Sequence, residues 1–393
     1  MLEQQNSYIA FDYQAVQPST FSPFHGGGKY GKVILGEILS RTEYVILFYS
    51  SELPHAELLE IRKRHPKVIL ADMLVPAIWD KIFNEYTVSC LYLPIPFSKL
   101  YKLYASRFPQ KLRIVGTIHG LRDIEAIPSL DIFRYRVPLK GVLRNIYDYA
   151  KTRLPGYMKR TQRKWANLIS SHNYDFFVVS NHTRDAVKKI VHSRTPEVFY
   201  SPSVINEGVK KMPHEKYFLL VSGNRWEKNN LMALRILDKM FSKKDISAEY
   251  SVKITGVKAL SCYRYVFKNP DRFECLGYVE ESTFSELYAK AYVLIYPSLS
   301  EGFGYPILEA LSVETPVVAS KLTSIPEVGG NAAIYFDPYD MKDVEKKIKQ
   351  ICELGQYRKL KDEALLQYAL ILRRQQDDLK KCVDYILKKG NCI

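Results

Sequence analysis

Along most of the chain, short runs of apolar residues alternate with longer stretches of mixed polarity. Runs of strand length lie at 8–13, 44–48, 68–70, 91–94, 113–118, 175–180 and 198–203, and a second series lies at 217–222, 252–256, 273–279 and 291–296. Continuous rather than alternating apolar character predicts strands covered on both faces, as in parallel sheets. Helical patterns intervene at 33–39, 56–64, from 183 onward, at 286–290, 307–312, 341–354 and 365–388. Alternation of this kind predicts an α/β fold. At 393 residues the chain exceeds what one core usually serves, so two domains are expected. The polar, basic stretch 207–215 reads as the linker, which places a first domain at 1–205 and a second at 206–372.

Candidate chemistry gathers in Ser300-Glu301-Gly302-Phe303-Gly304-Tyr305-Pro306-Ile307-Leu308-Glu309-Ala310, between the run 291–296 and the helix expected at 307–312. Glu301 falls in a strand-to-helix loop and Glu309 near the start of the helix behind it. Gly302 and Gly304 remove side chains, so that backbone amides can approach a ligand, and a helix start favours an anion. Carboxylates accept hydrogen bonds from vicinal hydroxyls. A ligand carrying both hydroxyls and phosphate is a nucleotide sugar. Arg225 and Lys228 follow the run 217–222 and offer a fork and a point charge to a diphosphate. His119 follows the run 113–118, where open α/β sheets place ligand residues, with Asp123 close in sequence. The plainer alternatives are a solvated basic loop and a structural histidine.

The early stretch His25-Gly26-Gly27-Gly28-Lys29-Tyr30-Gly31-Lys32 reads as a glycine loop ahead of the helix at 33–39. Gly26, Gly28 and Gly31 fit the letters of a dinucleotide fingerprint, but they lie too far beyond the first strand for its tight turn. The same stretch fails as a P-loop, because Val33 stands where a hydroxyl is needed.

The string 300–310, together with Thr315-Pro316-Val317-Val318-Ala319-Ser320 and Ile325-Pro326-Glu327-Val328-Gly329-Gly330, resembles the retaining glycosyltransferases of family 4 (glycosyltransferase group 1). The resemblance is specific in the C-terminal half and diffuse in the N-terminal half. It implies the GT-B fold, two facing Rossmann-like domains with the donor site in the cleft between them, and a last helix at about 373–393 that returns to complete the first domain. It implies a hexosyltransferase that moves a sugar from a nucleoside diphosphate to an acceptor hydroxyl with retention. Glu309 would bind the ribose hydroxyls. Glu301, with the loop of Gly302 and the amides of Phe303 and Gly304, would hold the sugar. Arg225 and Lys228 would stabilise the leaving diphosphate, and His119 would act from the opposite domain. Gly27 and Gly28 would face the diphosphate, unless they form only a structural turn, and Tyr278 or Val279 would lie near the base. No cofactor is implied. With no Asp-x-Asp in a strand-end loop, no metal is expected either.

Charge adds a partner. The formal net charge is +15, and 132–164 holds ten Lys/Arg against one acid, Asp148, interleaved with aromatic and aliphatic residues. Such a segment, taken as 132–165, suits an anionic membrane surface; a pair of ordinary surface helices is the alternative. No nucleic-acid module accompanies it, so nucleic acid is not an expected partner. No apolar run is long enough to span a bilayer, no leader pattern opens the sequence, and the six cysteines lie far apart, as in reduced cytoplasmic proteins. A glycan or lipid-linked glycan acceptor in surface polysaccharide or lipopolysaccharide assembly, at the inner face of the membrane, is the expectation. A nucleotide-sugar epimerase and a protein that only binds membrane surfaces through the basic segment are the competing classes.

Overall fold

The structure, a computed structural model, describes residues 7–18, 26–171, 174–202 and 212–388. Thirteen strands among them form two all-parallel sheets. The first contains β1 (Tyr8–Asp12), β2 (Val45–Tyr49), β3 (Ile69–Asp72), β4 (Val88–Leu93), β5 (Arg113–Ile118), β6 (Tyr174–Val178) and β7 (Glu197–Val198), in the order β3-β2-β1-β4-β5-β6-β7. The second contains β8 (Tyr217–Leu220), β9 (Ser251–Thr255), β10 (Phe273–Gly277), β11 (Val293–Tyr296), β12 (Val317–Ser320) and β13 (Ala333–Phe336), in the order β10-β9-β8-β11-β12-β13. The central strands β2, β8, β11 and β12 are buried along nearly their whole length. That burial is why each reads as an unbroken apolar run. In each sheet the winding direction reverses once, between β1 and β4 and between β8 and β11. The crevice beyond the strand ends at such a reversal is where open α/β sheets bind ligands.

The chain divides into two compact units, 1–119 with 164–205 and 373–393, and 120–163 with 206–372. The segment 120–163, assigned from sequence to the first domain, therefore belongs to the second unit. Backbone bonds hold it there: Arg136 N donates to Cys262 O at 2.7 Å and Arg264 N to Arg134 O at 2.7 Å. The Tyr135 ring packs edge-on against Tyr263, and its hydroxyl accepts from Leu231 N at 3.4 Å. The helix Leu354–Leu387 runs from the second unit into the first.

The early glycines also differ from expectation. Gly26–Leu39 is one continuous helix, so Gly27 and Gly28 stand in its first turn and not in a loop. Gly31 explains the tolerance. A Cβ there would lie 2.2 Å from Val16 Cγ1 and 3.3 Å from Pro94, so the helix needs a bare face to seat against β1 and β4 connections. Tertiary packing overrides the weak helix propensity of glycine here. The run 198–203 yields only the two-residue β7, and its end at 203 lies outside the described residues. The first part of the linker stretch 207–215 also lies outside them.

Candidate active site

At the reversal of the second sheet, two loops meet: 221–229 after β8 and 297–304 after β11. The first is shaped by close packing. Asn230 Nδ2 donates to Val221 O at 2.7 Å, Gly223 N donates to Thr255 O at 2.7 Å, and a 3-10 turn at Trp226–Lys228 points Lys228 inward. Lys228 is 7% exposed. Its Nζ donates to Glu301 Oε1 at 2.5 Å and to the Tyr296 hydroxyl at 3.0 Å, and it lies 5.3 Å from the centre of the Tyr296 ring.

Glu301 Oε1 accepts two further bonds, from the Tyr296 hydroxyl and from Ser298 Oγ, each at 2.5 Å. The loop backbone is clamped as well. Glu301 N donates to Thr323 Oγ1 at 3.0 Å, and Ser324 Oγ reaches both Glu301 O and Phe303 O at 3.0 Å. Burial opposes the charge of Glu301, but Lys228, Ser298 and Tyr296 more than offset it, and the carboxyl is held below its ordinary range. The same carboxylate, added to burial, drives the Tyr296 hydroxyl far above the usual phenol value. Glu301 is thus a fixed anion whose one oxygen carries all three of these bonds.

Gly304 turns the loop into the helix Tyr305–Ser312 with φ +104°, a conformation that favours glycine, and Pro306 occupies the first turn. Glu309 is half-buried on this helix, and its charge bears on the hydroxyls of Tyr288 and Tyr296. Tyr296 therefore feels both carboxylates expected from the sequence. Gly302 lies against Gly120: a Cβ on Gly120 would stand 3.3 Å from Gly302 Cα.

Arg225, expected from the sequence to meet the diphosphate, is paired within its own loop and is not the solvated cation of the plainer alternative. Its Nε and one terminal nitrogen donate to Glu227 Oε1 at 2.9 and 2.6 Å, and Arg122 donates to the same oxygen at 3.1 Å. Burial works against Glu227 as an anion, but the two guanidinium groups hold it below the usual carboxylate range. Arg225 and Arg122 keep side-chain exposures of 46% and 53%, against 9% for Glu227. The two arginines are the solvent-facing cations of this cluster, whereas Lys228 is committed to Glu301. Ser300 Oγ also donates to Glu125 at 3.1 Å. Arg122, Glu227, Tyr296, Ser298, Thr323 and Ser324 were not recognisable as site residues from sequence. Arg122 lies 105 residues before Glu227 and Glu125 lies 175 before Ser300, so spacing along the chain gave no hint of either contact.

Tyr278 and Val279 lie just beyond β10, the edge strand, three positions from β11. At about 4.8 Å per strand, β10 lies about 14 Å across the sheet from β11. Tyr278 is 60% exposed. Gly27, Gly28 and His119 belong to the first unit. There His119 Nε2 is 2.8 Å from Pro94 O, and since a carbonyl only accepts, that nitrogen carries the proton. Tyr30 packs edge-on against the imidazole at 4.6 Å. Among the described residues, no cluster of three His, Cys, Asp or Glu side chains forms a metal site, and no helix is long and apolar enough to cross a membrane.

The chain is 33% identical over 184 residues to the O-antigen chain mannosyltransferase RfbU of Salmonella typhimurium, covering 45% of this chain and 50% of that protein. It is 45% identical over 85 residues to the O-antigen chain mannosyltransferase B of Escherichia coli, covering 22% of each. The matches thus span about half the length of the first relative and less of the second. Over 96% of its length the chain superimposes on 99% of the crystal structure of HepE from Anabaena in complex with UDP-glucose, with a TM-score of 0.64 at 14% identity. That likeness shows the fold, the two-sheet α/β architecture of GT-B glycosyltransferase structures. Residues 205–365 match the family described as glycosyl transferases group 1. That stretch carries Arg225, Lys228, Glu301 and Glu309.

Proposed function

We propose that the protein is a glycosyltransferase that moves a sugar from a nucleoside-diphosphate sugar to an acceptor hydroxyl, with retention and without a resident metal. The sugar proposed is mannose, from the mannosyltransferase relatives, and the acceptor a growing surface glycan or lipid-linked glycan. The observation that carries the reading is the Lys228–Glu301–Tyr296–Ser298 cluster at the reversal of the second sheet, inside the matched stretch.

In this reading Glu301 positions the donor. With Oε1 already accepting three hydrogen bonds, the carboxylate is a poor nucleophile, and its rigidly held Oε2 is the oxygen that accepts from sugar hydroxyls. Arg225 and Arg122, solvent-facing and sharing Glu227, supply positive charge where the leaving diphosphate gains negative charge, usually the largest catalytic contribution in such a site. The remaining N–H of Lys228 adds to them. Glu309, one helix turn beyond Gly304, takes the ribose hydroxyls. His119, whose Nε2 donates to Pro94 O, keeps the role at the sugar that the resemblance implies.

The test is a panel of GDP-mannose, UDP-glucose and dTDP-glucose with and without a lipid-linked glycan primer, in chelator. Acceptor-dependent release of one nucleoside diphosphate, with an α-linked product from the α-linked donor, is expected. Glu309→Gln should raise KM for the donor with kcat retained, and Glu301→Gln should lower kcat. Conversion of donor without any glycosylated acceptor, or no binding of any nucleoside diphosphate, would overturn the reading.

A further inference from the structure

The helix Leu139–Lys151 is unlike every other long helix described: none of its residues is buried. Its inner side is nonetheless docked. Asn145 Nδ2 donates to Ile132 O at 3.3 Å, Tyr149 packs edge-on against Phe133 at 5.2 Å, and a Cβ on Gly141 would lie 2.8 Å from Val137. The opposite side carries Leu139, Leu143, Ile146, Tyr147 and Ala150, which at 100° per residue fall within an arc of about 100°. Leu139 is 76% exposed, Leu143 60% and Tyr147 65%. A coherent apolar stripe held outward by a docked inner face is not a stray surface leucine.

Cations border that stripe. Lys140, Arg144 and Lys151 lie along one edge, and exposed Arg153, Leu154, Lys159 and Arg160 follow directly. The one acid, Asp148, is already taken up by Lys151 at 2.5 Å and Arg144 at 3.7 Å. Lys151 and Arg153 lie over the rings of Tyr147 and Tyr149, at 5.0 and 3.6 Å. A protein partner of matching shape would need acids opposite these cations and an apolar groove between them. A bilayer rich in anionic lipid offers both at once: headgroup charge at the level of the cations and acyl chains beneath them.

We propose that Leu139–Lys151 is a membrane-surface anchor, lying in the plane of an anionic leaflet with Leu139, Leu143, Ile146 and Tyr147 immersed and Lys140, Arg144 and Arg153 at the headgroups. The inference stands on this helix and needs no glycosyl transfer, so it can fail without touching the proposed reaction.

The experiment is co-sedimentation of the full chain with phosphatidylcholine vesicles, and with the same vesicles containing phosphatidylglycerol. Binding to the anionic vesicles alone is expected, weakened roughly fivefold for each headgroup cation lost, so roughly 25-fold or more in K140E/R144E. The L143D/I146D variant should lose binding as severely at low salt, because the apolar stripe and the charge act together. Every altered residue is exposed, so unchanged thermal midpoints certify folding. Binding to neither vesicle overturns the proposal. So does L143D/I146D binding like the wild type, which would mean a purely electrostatic surface. A sedimentation-velocity dimer that L143D/I146D dissociates would assign the stripe to a second copy of the chain, and also overturns it.

Discussion

Replacing Lys228 by methionine isolates the central ion pair, because methionine keeps the stem and removes the charge. Glu301 would remain in its buried place, 12% exposed, with Ser298 and Tyr296 still donating to it. Removing one partner of a buried pair typically costs about 3–5 kcal/mol, since the other charge is left uncompensated. The two remaining donors put Lys228→Met toward the lower end, at about 3 kcal/mol, which for a unit of this size lowers Tm by roughly 6–12 °C. The pH dependence identifies the cause. In the wild type Glu301 is depressed, so its stabilisation is present above the unfolded carboxyl value and is lost as pH falls through the folded one. Without Lys228, burial dominates and the folded value rises above the unfolded one. The variant then loses stability as pH rises through that new value. The deficit relative to wild type is therefore small near pH 4 and full at pH 7.5. Urea denaturation at both pH values measures it, with K228M/E301Q recovering much of the loss at pH 7.5. A deficit that does not change with pH, or a double variant no better than K228M, would refute the reasoning.

Three further outcomes are expected. Arg225→Ala should lower kcat by roughly 10²–10³, the cost of one charge-stabilising donor, with a smaller loss for Arg122→Ala; equal rates would remove both from the diphosphate. Asp12 is fully buried at the end of β1, and burial raises its carboxyl to about 7 despite bonds from Ser98 and Ala15. Its raised value means stability is lost as pH climbs from the unfolded value through about 7, so the advantage of Asp12→Asn should grow across that window, and parallel denaturation curves would count against it. Gly31→Ala places a methyl 2.2 Å from Val16 Cγ1 and should destabilise by about 1–3 kcal/mol, read by the urea midpoint, whereas exposed Gly36→Ala, with nothing within 4 Å of its Cβ, should not.

Much of the fold was legible in order of appearance. The apolar runs at 44–48, 113–118, 217–222 and 291–296 became β2, β5, β8 and β11 with shifts of one or two residues at their ends. The edge strand β13 escaped notice, and Val317–Ser320 was read only as part of a motif string, because four apolar residues are too few to separate strand from helix by period. The glycine stretch misled in the other direction. Gly26–Leu39 is helical because Gly31 must seat closely against Val16 and Pro94, and no local rule carries that information.

The sequence by itself determined the alternation of strand and helix, the two sheets, and the loop that holds Glu301, because continuous apolar runs and glycine-proline punctuation act over a few residues. It also marked Arg225, Lys228 and Glu309. Only the tertiary structure decided what these charges do to one another. Lys228 is the buried counterion of Glu301, and the exposed positive charge comes from Arg225 and from Arg122, which the segment 120–163 brings into the second unit. Which charge neutralises which depends on distances between loops 73 to 105 residues apart. Those distances are set by how sheets and glycine contacts pack, and not by the spacing of residues along the chain.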